Sequence, residues 1–233
     1  NPAEMIGTAP RPLALSLYQR MIGDTAWAEA RRRIGYRDLR SEQLILSLAG
    51  RPFVDVRASL NSFLPASLDD ATGARWVDAC LERLCANPRF HDKLEFEVAI
   101  TCLAPDFETH APRLREAGLD DKLFREHLRR LTGGVLRGDT APIAQQYEQL
   151  AHMNARRERI VADDSDGVHG LARSIGQLLG DCREYGVVPF SILARYGFIA
   201  MSLLRGMVAQ NVIERRDYDA FLQDVPTVAG GMA

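Results

Sequence analysis

The 233 residues are 26% charged and 46% hydrophobic with a formal net charge of −2, which suits a globular protein able to bury a sizeable core. That balance excludes a global basic field of the kind that holds nucleic acid or an anionic membrane surface. The four cysteines form no CxxC pair and have no histidine at a metal-ligand spacing, which excludes a disulfide scaffold or zinc-finger pattern and predicts reduced thiols in a cytoplasmic protein.

The chain opens Asn1-Pro2-Ala3-Glu4, with neither a methionine nor a charged and apolar leader, so we expect a piece of a longer polypeptide. Pro2, Pro10 and Pro12 with Gly7 predict an extended or turning linker over residues 1–12. Helical spacing begins with Leu13, Leu17, Met21 and Ile22, breaks at Gly23-Asp24, and resumes from Thr25 to about Ile34 behind Asp24 as N-cap. From Gln43 to Leu60, two short apolar runs flank Ala49-Gly50-Arg51-Pro52 and read as a β-hairpin, with a helix over residues 44–48 as the competing assignment.

Ser67, followed by Asp69 and Asp70, predicts an N-cap and an acidic first turn for a helix running to about Ala86, stopped by Asn87-Pro88. Leu94, Phe96, Val98, Ile100 and Cys102 then alternate strictly with other residues. This predicts a strand that pairs with the hairpin into a small antiparallel sheet. Beyond Pro105 every segment reads as helix, near residues 107–116, 121–131, 141–161, 168–185, 189–210 and 215–222. Gly118, Gly133-Gly134, Gly167 and Gly186 serve as punctuation. The fold class is therefore α+β and predominantly helical: a helical bundle with a small antiparallel sheet, in one domain.

Residues 187–209 are long and apolar enough to span a bilayer, but Arg195 and Arg205 near the middle would be costly in lipid. Arg195, Ser202, Arg205 and Ala209 share one stripe, so we read a buried core helix with one polar edge and no membrane contact. Asp163, Asp164 and Asp166 before Gly167 lack the ligand spacing and closing glutamate of a calcium loop and read as a capping loop. The five histidines are scattered singly. GxGxxG and GxxxxGK[ST] are both absent.

The richest polar cluster is Asp55-Val56-Arg57-Ala58-Ser59-Leu60-Asn61-Ser62-Phe63. On a strand, Asp55, Arg57 and Ser59 would share one face. A guanidinium with such neighbours can grip a carboxylate or phosphate bidentately; its other use is an ion pair fixing a strand end to a helix. Arg57 and Asn61 are the candidate substrate-binding residues, and no residue is assigned a catalytic or metal-binding role.

Asn1 to Gly7, Pro10 to Ala14 and Ser16-Leu17-Tyr18, with Pro52 to Arg57, Asn61-Ser62-Phe63 and Pro65-Ala66, resemble bacterial phosphoenolpyruvate synthase-like proteins. His91 to Glu97, Phe221-Leu222 and Thr227-Val228-Ala229 extend the resemblance, whereas residues 102–188 match loosely. The resemblance implies a helical middle region between an ATP-grasp domain and a phosphohistidine domain of one polypeptide, which would be its partners. ATP and magnesium would belong to that parent enzyme, which moves a phosphoryl group to pyruvate or another small acceptor. No phosphohistidine motif, ATP-grasp lysine or pyruvate-binding barrel occurs here, so no cofactor is expected in this region and it is expected to be inactive alone. ATP-grasp folds often end in an acidic residue closely followed by Asn beside the bridging magnesium, which implies a cofactor-binding role for Asn1. The reading from another class is a stand-alone helical scaffold whose partner docks on residues 187–209 or an exposed helix face.

Overall fold

Helices dominate the computed structural model, which describes residues 2–162 and 167–225. The opening is not the extended linker that its prolines predict. Pro2–Ile6 forms a short helix, α1, and Pro12–Tyr18 forms α2, each with proline at its first position. There the missing N–H has no intrahelical acceptor to lose, so proline starts a helix as readily as it breaks one. A π-helical turn, Gln19–Gly23, continues α2, and α3 follows at Ala26–Arg33.

The hairpin forms as expected. β1, Ile45–Leu48, pairs antiparallel with β2, Arg51–Val54, placing Ile45 opposite Val54 and Leu48 opposite Arg51. Ala49 and Gly50 have φ of 51° and 75°, the double left-handed geometry that matches a two-residue turn to the strand twist. The run after β2 does not stay extended. Asp55 caps α4, Val56–Asn61, by accepting the Ala58 N–H at 2.9 Å, so Arg57 and Ser59 sit on a helix rather than on one strand face.

The third strand is likewise not formed: the sheet described here has two strands. Leu94–Val98 makes a π-helical turn, and the chain then runs extended. The reason lies in burial. Residues 98–102 are buried one after another, so no alternating wet face exists for the period-two pattern to serve. Side chains take the place of a partner strand for its backbone. Tyr36 donates to the Thr101 carbonyl at 2.9 Å, Arg113 donates to the Val98 carbonyl, and Leu103 N–H donates to Thr132 Oγ1 at 3.0 Å.

Helix α5, Asp70–Ala86, is capped by Asp69, not Ser67, and ends before Pro88. It buries Trp76, Val77 and Cys80 against α6 (Phe107–Glu116) and α7 (Asp121–Leu136). Leu60, Leu64, Phe107, Leu114, Phe124 and Leu128 complete this main core. Full burial of each such side chain stabilises the fold by roughly 1.5–3 kcal/mol before entropy is counted. α7 passes through Gly133-Gly134, which do not end it; Gly138, with φ of 75°, takes the left-handed position just beyond the helix.

The remaining helices are α8 (Ala141–Ala162), α9 (Gly167–Asp181), α10 (Val188–Ala209) and α11 (Arg215–Asp224). Gly186 does not interrupt them: the π-helical turn Cys182–Val187 carries α9 directly into α10. The joined segment, Gly167–Ala209, is long and apolar enough to cross a membrane by length and composition. In the fold, α10 lays Val188 and Ile192 against Ala26 and Ala30 of α3 in a second, smaller core.

Candidate functional site

Arg57 and Asn61 lie one helical turn apart on α4, at an open groove of about 570 Å3. Arg57 pairs with Asp78 of α5 at 2.8 Å, and both side chains are 57% exposed, so the pair ties two helices at little net gain. The Asn61 side chain donates to the Arg57 carbonyl at 3.0 Å and accepts from Arg37 at 3.4 Å. Arg37, which the sequence pattern did not single out, also donates to the Leu68 and Asp69 carbonyls at 3.0 and 3.3 Å. Asn1, the Asp163–Asp166 loop and Thr227-Val228-Ala229 lie outside the described residues.

The densest polar arrangement is inside the protein. Arg195, on α10, is only 1% exposed. Its Nε donates to the Tyr36 hydroxyl at 2.9 Å, one terminal nitrogen donates to the Thr101 hydroxyl, and Nη1 lies 3.1 Å from Glu95 Oε1. Arg31, on α3, approaches the same Oε1 at 3.3 Å. Phe63 lies under both guanidinium groups, its ring centre 4.7 Å from Arg31 Cζ and 5.3 Å from that of Arg195. Nη1 is off the line of a hydrogen bond, so its contact with Glu95 is coulombic. Burial opposes the Arg195 charge, but Tyr36 and Glu95 outweigh it and raise its pKa; burial pushes the Tyr36 phenol up too. These groups brace α3, α10 and residues 94–102 together. Sequence gave only the polar stripe that holds Arg195 and the glutamate within a false strand.

Beside the brace lies a crevice of about 70 Å3, lined by Phe96, Thr101, Asp106, His110, Ser202 and Arg205 among others. His110 Nε2 is 3.4 Å from Asp106 Oδ2. Arg205 stacks over Phe96 with Cζ 4.2 Å from the ring centre, and it has no carboxylate partner among the described residues. Cys102 also lines the crevice, with its thiol pushed up by burial; burial drives Cys80, elsewhere in the core, up to about 12. Neither is a ready thiolate nucleophile.

A serine–histidine contact invisible in the sequence joins the loop before α5 to α7: Ser67 Oγ and His127 Nδ1 are 2.7 Å apart. The adjacent carboxylate, Glu126, is engaged by Arg129 at 2.7 Å and Arg130 at 3.3 Å. Among the described residues no carboxylate contacts His127, so the pair is not completed to a triad there. No group of three or more His, Cys, Asp or Glu side chains suited to a metal ion occurs among the described residues. Comparison with known proteins returned no matching family model, curated protein or solved structure.

Proposed function

We propose that this chain is the helical middle region of a cytoplasmic phosphoenolpyruvate synthase-like phosphotransferase, non-catalytic in itself, that positions the flanking ATP-grasp and phosphohistidine domains. The observation that carries this reading is where the resembling stretches meet. Phe63, from Asn61-Ser62-Phe63, and Glu95, from His91 to Glu97, are parts of one brace around Arg195, and Arg57 and Asn61 line the groove at α4. Stretches far apart in sequence thus pack into one unit, which suits a spacer between moving domains.

The chain has neither glycine-rich phosphate motif, and no group of three or more His, Cys, Asp or Glu suited to a metal ion occurs among the described residues. On this reading nucleotide and metal belong to the neighbouring ATP-grasp domain, and no step of phosphoryl transfer is routed through this chain. Extending the gene sequence upstream should reveal an ATP-grasp coding region, and the purified chain should leave ATP intact. Turnover of ATP by the 233 residues alone, or a gene that ends at these bounds, overturns the reading.

A second reading, a scaffold that docks a partner on an exposed helix face, is favoured by one observation. Val168, Leu171 and Ile175 form an uncovered apolar stripe on α9. A gene confined to this chain would select it.

A further inference from the structure

We infer that the apolar outer face of the β1–β2 hairpin, with α1 and α2 beside it, is the surface on which the preceding ATP-grasp domain docks. This rests on the proposed phosphotransferase reading, which puts that domain immediately before α1.

The hairpin departs from the usual pattern of a small sheet. An antiparallel sheet with one covered face normally alternates apolar residues inward with polar residues outward. Ile45 is buried beneath the π-helical turn Gln19–Gly23, where a Cβ on Gly23 would come within 2.8 Å of its Cγ1. The direct pairs Leu46–Phe53 and Leu48–Arg51 point to the opposite face. That face would ordinarily be polar, yet Leu48 is 58% exposed and Phe53 47%. α1 packs on β2 and on α2, and these two helices add exposed Met5, Leu13 and Leu17. Leu13 and Leu17 are one turn apart and share a face of α2. A two-stranded sheet is marginal by itself, and exposed apolar surface of this kind marks a place that another surface covers.

The occupant follows from the tether. A domain joined just before Pro2 is held at α1, which touches β2, at an effective concentration of roughly millimolar. At that concentration a modest interface suffices, since contacts between domains of one chain bury roughly 600–1,500 Å2. A second copy or a free partner would have to bind without that help. Arg51 stands on the same hairpin face as Leu48, exposed and without a carboxylate partner among the described residues. The covering surface should therefore be apolar, with a carboxylate at the edge that meets Arg51.

The test is amide hydrogen exchange, read by mass spectrometry, on the 233-residue chain and on the full polypeptide encoded by the extended gene. Amides of residues 12–18 and 45–54 should exchange at least tenfold more slowly in the full polypeptide. Leu48→Asp should leave the urea midpoint of the 233-residue chain unchanged, because that side chain already meets water there, yet abolish the extra protection in the full polypeptide. Arg51→Glu, which keeps the apolar face, should reduce it, and Leu13→Asp on α2 gives the same readout if the hairpin variant fails to fold. An extended gene without an ATP-grasp domain overturns the functional reading and this inference together. With that domain present, equal exchange in the two proteins, or protection untouched by both Leu48→Asp and Leu13→Asp, overturns the inference alone. So does protection in the 233-residue chain that grows with protein concentration, which would assign the face to a second copy.

Discussion

The two halves of this protein spend their apolar residues differently. Between α4 and α7, large side chains converge: Leu128 and Leu114 are fully buried, and Phe124 is 1% exposed. On α9 the same residue types face outward, with Val168 81% exposed, Leu171 62% and Ile175 50%. Only Gly170 and Asp181 of that helix are buried. The comparison teaches that helical periodicity specifies a stripe, whereas the neighbour that covers it comes from elsewhere in the fold. α5, α6 and α7 cover one another. α9 rests on α8 and the π-helical turn and leaves its stripe open.

The sharpest way to break this contrast is Leu128→Ala. It should cost about 4 kcal/mol in urea unfolding, through lost burial and a residual cavity. A cost near 1 kcal/mol would mean that the main core is looser than its burial implies. Next in size is Glu95→Gln at the junction of the two halves. Removing that carboxylate leaves Arg31 and Arg195 adjacent without their shared counter-charge, and the variant should lose about 3 kcal/mol in the same assay. A near-neutral result would mean that the brace is held by hydrogen bonding and stacking rather than by charge.

Smallest is Ile175→Ala on α9, expected to change unfolding free energy by less than about 0.5 kcal/mol. A larger loss would show that this stripe is covered in solution. The assay is best run at two protein concentrations, since a stripe covered by a second copy would make the loss concentration-dependent.

Much of the architecture was legible in sequence because local signals agreed with their surroundings. Helices over residues 107–116 and 215–224 follow their periodicity, and the Ala49-Gly50 turn sets the hairpin. Arg57 was legible as an ion-pairing residue, although on a helix and not a strand, since an N-cap at Asp55 outweighed the apolar run before it. The crevice was not legible at all. Its lining comes from residues near 95–110 and 202–205, and no local pattern marks such a meeting.

By itself the sequence determined the helical class, most helix bounds, the hairpin and the polar edge of the long apolar helix, because these depend on residues within a few turns of one another. Only the tertiary structure decided that residues 98–102 are buried on all sides and served by side-chain hydrogen bonds, that Arg195 meets Glu95 and Tyr36, and that Ser67 meets His127. The physical reason is range. Backbone hydrogen bonding and capping are settled locally, whereas pairing a buried charge requires groups that the chain brings together across separations as long as the 159 residues between Tyr36 and Arg195.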